Sequence, residues 1–269
     1  NPEEEIDPIV ARLWGREDAL SVELRPGPED NPWWTAELQR EMEADFARDP
    51  ELAEHVWNGQ PRAQGSRAIL SRVAIRAAMN RELPVDANGV DEMGVDVARF
   101  GDDQTVIYRR KGAKIVACKK LSGADTQEVA RTTWDMADRD RNVCIKCDDT
   151  GVGGGVVDKL RDLGAQVVPV ENGASPHDGD RFTSVGDEQW FHFQEILDGV
   201  DIPDDPDLMQ ELSGRLYTYT KHDQRQIEKK SDFAKRYGHS PDSADALLLC
   251  FYKPQMGVLS EVSAEILGL

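Results

Sequence analysis

From residue 91 onward, apolar segments of strand length alternate with segments of helical period, and this alternation limits the chain to a layered α/β sheet. Residues 93–98 are short and apolar. Residues 105–110 and 113–119 are β-rich and flank Lys111-Gly112, a hairpin signal. Asp125-x-x-Glu128 resembles a capping box that opens a helix to about Arg139. Residues 143–147 read as a buried strand, 156–163 as a helix, and 165–170 as a further strand bounded by Gly164 and Asn172. A helix near 207–212, a hairpin through 215–229 and a final helix over 241–252 complete the series. The order β-β-β-α-β-α-β with a tail helix predicts a mixed sheet, because the first three strands form a meander.

Residues 1–88 differ from this pattern and read as a mainly helical linker or appendage, with the α/β domain over 89–255 and a tail over 256–269. Within the appendage, Asp30-Asn31-Pro32-Trp33-Trp34 is a turn before a helical pattern over 35–57, ended by Gly59 and Pro61. A second amphipathic stretch over 68–80 stops at Pro84. Every candidate ligand discussed below lies at or beyond Asp96, so residues 1–88 are expected to be dispensable for metal binding.

The chain has 269 residues, 39% hydrophobic and 31% charged, enough to bury a sizeable core. No apolar run approaches the ~18 residues of a membrane helix, and no basic-then-apolar leader is visible. The sequence opens on Asn1 rather than methionine, which suits a fragment of a longer protein. Cys144-x-x-Cys147 invites a zinc or redox reading, but positions i and i+3 of a strand face opposite sides. No second such pair completes a tetrahedral set, so the four cysteines read as reduced, packed thiols.

The net charge of −19 is awkward for a nucleic-acid protein. The acid is uneven, however. Residues 106–120 carry Arg109, Arg110, Lys111, Lys114, Lys119 and Lys120 with no acidic residue, and 221–236 carry Lys221, Arg225, Lys229, Lys230, Lys235 and Arg236. The second set immediately precedes an acidic pair and is the candidate DNA-contacting surface, on a hairpin expected to reach over the duplex.

The chemistry lies where carboxylates fall. In Gly94-Val95-Asp96-Val97-Ala98 an acid sits inside an apolar strand, which is costly unless it is paired or metal-bound. Asp148 and Asp149 end another strand, before Thr150-Gly151 and a helix. Asp242 and Asp245 open the last helix three residues apart and so share one face, with Pro241 ahead of them and an apolar run behind. Three acidic clusters on separate elements suit hard divalent cations, and a pair of Mg²⁺ or Mn²⁺ ions can clamp an in-line phosphoryl displacement. Gly151-Val152-Gly153-Gly154-Gly155-Val156 offers a rival reading as a dinucleotide-binding regulatory module, with Glu171 as the ribose acid. Against it, Val156 stands where Gly or Ala belongs, and Asp148 and Asp149 would repel a pyrophosphate. No Gly-Lys-[Ser/Thr] sequence occurs, so no ATP hydrolysis is expected of this chain alone.

The segments GVDVARFGDDQT, CDDTGVGGGVVDKL and SPDSADAL together resemble the C-terminal nuclease domain of the large terminase subunit of tailed bacteriophages, over residues ~91–254. NPWWTAELQREMEADFARDPELAEHVWNGQP resembles the segment that joins that family's ATPase domain to its nuclease. The resemblance implies a ribonuclease H-like fold, its mixed central sheet flanked by helices. It places the first metal-binding acid on Asp96, the auxiliary acid on Asp103, the second-strand acid on Asp148 with Asp149 as substitute, and the last within Asp242-x-x-Asp245. RuvC-type resolvases similarly carry a D-x-x-D-A helix, which keeps a Holliday-junction resolvase or another ribonuclease H-like nuclease as an alternative. The implied activity is endonucleolytic cutting of double-stranded DNA by two Mg²⁺ or Mn²⁺ ions during genome packaging. The implied partners are an ATPase domain, a small terminase subunit and a portal ring, in the cytoplasm of the infected bacterial host and with no membrane.

Overall fold

The structure, a computed structural model, describes residues 33–48, 50–58, 67–98 and 104–253. By contacts the chain divides into two compact units, Asn1–Ala68 and Ile69–Leu269. The first holds helices α1 (Ala36–Arg48) and α2 (Pro50–Asn58). The single helix expected over 35–57 is therefore two, because Pro50 has no amide hydrogen to extend the first ladder and suits the first turn of a new helix. Trp57 packs edge-on against Trp34 at 5.8 Å and donates its indole N–H to Asp45 at 3.0 Å.

The second unit opens with α3 (Arg72–Met79), whose N-cap Ser71 accepts from the Ala74 amide. Next comes the meander β1 (Asp91–Asp96), β2 (Gln104–Lys111) and β3 (Lys114–Ser122). Helix α4 (Thr126–Met136) begins at Asp125, which accepts from the Glu128 amide at 2.8 Å, as the capping pattern predicts. The crossovers β4 (Cys144–Asp148), α5 (Gly153–Asp162) and β5 (Gln166–Val170) follow. The sheet order is β3-β2-β1-β4-β5, with β1 antiparallel to β2 and parallel to β4. This mixed five-stranded sheet flanked by helices is the ribonuclease H-like arrangement.

Beyond the sheet come α6 (Val185–Ile196), α7 (Pro206–Gly214), the hairpin β6 (Tyr217–Tyr219) and β7 (Arg225–Ile227), α8 (Lys230–Tyr237) and α9 (Asp242–Phe251). Two of these helices escape the sequence reading. Helix α6 lies in a stretch to which the sequence reading assigned no element, and its cap is a Ser184–Asp187 pair in place of Ser–Glu. Helix α8 lies in the stretch read as basic hairpin.

The two faces of the sheet are divided by strand alternation. Met93, Val95, Ile107, Ile145 and Cys147 pack under α4 and α5. On the other face, Val106 and Tyr108 meet α6, α7 and α9. All ten residues of α9 are buried. Helix α9 crosses β1 at Gly94, where an added Cβ would lie 2.2 Å from the Ala246 carbonyl oxygen and 2.5 Å from the Cys250 nitrogen. Only glycine permits that approach.

The contact division falls at Ala68/Ile69, whereas the change in composition lies near residue 88. The reason is that Ile69, Leu70, Ile75, Ala78 and Met79 belong to the main core. Polar bonds tie the same stretch down, from Arg81 Nη1 to the Val200 carbonyl at 2.6 Å and from the Leu83 amide to Asp201 at 2.9 Å. Burying five such side chains stabilises by about 1–3 kcal/mol each. A chain starting near Asp86 should therefore melt well below one starting near Ser66, or aggregate, when the two are compared by calorimetry. Equal melting temperatures would show that the stretch over 69–80 is dispensable to the folding unit.

Candidate metal centre

Alternation places Glu92, Gly94 and Asp96 in one row on β1, and Lys146 and Asp148 in one row on β4, all facing α9. The helix runs antiparallel to β1, so its first turn lies over the Asp96 end and its last over Glu92. At the far end the Cys250 carbonyl accepts from Lys146 Nζ at 3.0 Å and Arg110 Nε at 2.7 Å, and both cations pair with Glu92. Two cations thus meet the negative end of the helix dipole. At the near end the carboxylates gather.

Asp96, Asp148, Asp242 and Asp245 are all buried, at 4%, 9%, 8% and 7% exposure. Burial pushes the Asp96 carboxyl well above the ordinary carboxylate value, and the charges of Asp245, Asp148 and Asp242 push it further, against the pull of Lys230. Lys230 Nζ lies 2.7 Å from Asp245 and 3.7 Å from Asp96. Among the described residues, no group of three carboxylate, imidazole or thiolate donors is drawn together closely enough to hold an ion as it stands. The chemistry of the donor set nonetheless fits a hard cation, since carboxylates from three elements crowd around Asp96, and one ammonium pairs with two of them.

The carboxylates are held from behind. Asp148 accepts from the Thr150 amide at 2.9 Å and from Asn172 Nδ2 at 3.1 Å, and Asn172 in turn accepts from Gln189 Nε2 at 2.9 Å. Asp242 accepts from the Gln104 amide at 2.9 Å. Asn172 and Gln189 carry no sequence signal, being an isolated amide after a strand and one residue of an unforeseen helix. Glu211 is a further acid beyond sequence reach. It is buried on α7 and accepts from the Ala244 amide at 2.7 Å, in the first turn of α9.

Of the auxiliary acids, Asp149 is exposed, and Asp103 lies outside the described residues. The glycine run after β4 has a packing role. A Cβ at Gly153 would lie 1.7 Å from the Asp148 carbonyl oxygen, so that glycine lets the turn close behind the carboxylate. Cys147 packs under α4 and α5 while Cys144 faces the opposite side, and neither is in a disulfide.

The basic residues do not form one hairpin surface. Lys221 lies in the β6–β7 turn, and Arg225 on β7 has its guanidinium 4.9 Å from the Phe191 ring. Lys229, Lys230, Lys235 and Arg236 belong to α8 or its cap, since the stretch after the hairpin turns helical. Lys230 points into the carboxylates, Lys235 pairs with Asp232, and Arg236 pairs with Glu228. Lys221 and Lys229 are exposed and enter no ion pair among the described residues. In the earlier basic stretch, Arg109, Arg110, Lys111, Lys114 and Lys120 are taken up by Asp91, Glu92, Asp201 and Asp205.

No protein-family model and no curated protein matches this sequence. Among solved structures, the fold is similar to the nuclease domain of the large terminase subunit gp2 of bacterial virus Sf6, at 19% identity and TM-score 0.60, covering 70% of this chain and 100% of that one. A mutant of that domain with manganese and beta-thujaplicinol gives TM-score 0.62 at 19% identity and the same coverage. The large terminase nuclease from thermophilic phage G20c with bound magnesium gives TM-score 0.53 at 15% identity, covering 70% of this chain and 97% of that one. No helix among the described residues is long and apolar enough to cross a membrane.

Burial pushes Glu211 up to about 8, with the charges of Asp245 and Asp242 adding to the effect. An acid whose folded value is raised contributes stability that is whole below its unfolded value and lost as pH climbs through the folded one. Metal-free protein should thus lose stability from about pH 4.5 to 8. Glu211→Gln, which keeps the acceptor for Ala244, should lack this component and melt roughly 3 °C or more above the parent at pH 8. Parallel melting curves of the two proteins across that range would show that Glu211 ionises freely.

Proposed function

We propose that this chain is a divalent-metal-dependent endonuclease that cuts double-stranded DNA during phage genome packaging, as the nuclease part of a large terminase subunit. The observation that carries the reading is the convergence of Asp96, Asp148, Asp242 and Asp245 from β1, β4 and α9, with Lys230 drawn in among them. The likeness to terminase nuclease structures supports it, as do the manganese and magnesium in two of them.

In this reading Asp96, Asp148 and one or both of Asp242 and Asp245 hold two Mg²⁺ or Mn²⁺ ions, with Asp149 and Asp103 as auxiliary acids. Such ions, when bound, stabilise the charge that develops on phosphate oxygens and lower the pKa of water. The chain's own groups prepare the site. Gln189 orients Asn172, Asn172 orients Asp148, and the Gln104 amide fixes Asp242. Lys230 offsets the crowded negative charge, and its flexible stem lets it withdraw when a divalent cation enters. Lys221 and Lys229, exposed and in no ion pair among the described residues, are the proposed phosphate contacts, while Arg225, Lys235 and Arg236 would have to leave their present partners to join them. An ATPase domain, a small terminase subunit and a portal ring in the cytoplasm of the infected bacterial host are the proposed partners. This chain itself lacks the Gly-Lys-[Ser/Thr] loop needed for ATP.

Purified protein with Mn²⁺ should nick and linearise plasmid DNA, with activity abolished by EDTA and lowered on the order of 10²-fold or more by Asp96→Ala or Asp148→Ala. If Asp96→Ala cut as fast as the parent, the assignment of the site would be wrong.

Lys230 competes with any cation for Asp245 and Asp96. Lys230→Ala should therefore raise apparent Mn²⁺ affinity by about tenfold, read by calorimetry, since about 1.4 kcal/mol of competing attraction is removed. Weaker Mn²⁺ binding in that variant would show that the lysine supports the cation site.

A further inference from the structure

A cavity of about 340 Å³ adjoins the carboxylate cluster and shares Lys230 and Asp245 with it. We propose that this cavity is a phosphate subsite, with Arg215 as its anion-binding group, and that it takes a backbone phosphate of the DNA next to the one being cut. The source of the phosphate rests on the nuclease reading above. The anion site itself rests on the cavity and its arginine.

Arg215 follows α7 and is only 2% exposed. Its Nε and Nη1 meet no hydrogen-bond acceptor, and no carboxylate pairs with it among the described residues. Its visible partners are two aromatic rings, Trp190 at 5.7 Å and Phe233 at 5.8 Å from the guanidinium carbon. Rings offset part of the cost of a buried cation, but they cannot accept two in-plane N–H groups. A charged guanidinium is therefore held in the wall of a cavity, with Nε and Nη1 lacking acceptors.

The acids that line the same cavity are already engaged. Asp187 accepts from the hydroxyls of Thr183 and Ser184 and from the Ile227 amide. Glu228 accepts from the Leu216 amide and pairs with Arg236. Asp245 pairs with Lys230. The uncommitted cations are Arg215 and Lys229, so the cavity calls for an anion from outside the chain. A guanidinium fork matches the oxygens of a phosphate in bidentate fashion. The wall also carries Asn172, whose amide holds Asp148, so an occupant would lie alongside the proposed cutting centre.

The test uses the full chain in EDTA, where cutting cannot confuse binding, with Arg215→Gln and Arg215→Lys checked for native circular dichroism. Binding of a fluorescent duplex is followed by anisotropy over a salt series, and inorganic phosphate is titrated in parallel by calorimetry and as a competitor. The parent should bind both. Arg215→Gln should weaken duplex binding by about tenfold and lower its salt slope by about one unit. In that variant inorganic phosphate should no longer compete. Arg215→Lys keeps the charge without the fork and should fall between the two. It carries the test alone if the glutamine variant does not fold.

No binding of either probe by the parent, or unchanged duplex affinity with intact phosphate competition in Arg215→Lys, would overturn the proposal. Arg215-dependent binding of inorganic phosphate with unaltered duplex affinity would also overturn it, because the site would then serve a free anion. None of these outcomes depends on Mn²⁺-dependent plasmid cutting, which tests the nuclease reading separately.

Discussion

Helix α9 lies directly on β1 at Gly94, with helix backbone filling the space where a side chain would stand. That contact fixes the height and register of the helix against the strand. One end of the strand row then meets the helix N-terminus and the other end meets its C-terminus. The C-terminal carbonyl at Cys250 is satisfied by Lys146 and Arg110, which share Glu92. The N-terminal turn presents Asp242 and Asp245 to Asp96. A helix N-terminus favours negative charge, so the dipole eases the crowding of acids that the contact creates.

The crowding remains unfavourable without a cation. Asp96 is driven toward its neutral form by burial and by three neighbouring carboxylates, while Lys230 pulls the other way. Such a cluster persists because the surrounding fold holds it. Backbone amides at Gln104, Thr150 and Ala244 and the Gln189–Asn172 pair fasten the carboxylates and Glu211 from outside the cluster. The resulting site is crowded electrostatically and tied down by hydrogen bonds from its surroundings.

The overall charge of −19 makes the placement of each cation consequential. Most basic residues of β2 and β3 are neutralised within the fold, by Asp91, Glu92, Asp201 and Asp205. Arg215 and Lys229, which enter no ion pair among the described residues, line the cavity beside the carboxylates. A basic run in sequence is thus a poor guide to a basic surface here.

The five strands with their crossover helices, the capping of α4 by Asp125, the β2–β3 turn and the four aspartates of the cluster were legible in the chain, because each depends on local spacing or on an acid out of place in an apolar segment. The aspartates that converge are those singled out by sequence position. Helices α6 and α8 were illegible because partners distant in sequence pack on them, such as Phe251 against Phe193 and Arg215 over Phe233. The same distance in sequence hid Asn172, Gln189, Glu211 and Arg215, each of which acquires its role from a neighbour on another element. Lys230 reads as one more surface cation until α8 turns it toward Asp245. That Asp96, Asp242 and Asp245 would be buried follows from the chain alone, since an apolar strand and an apolar helix carry them. Tertiary structure alone decided what surrounds those acids, because partner choice depends on which side chains the crossing of α9, α7 and β1 brings within a few ångströms.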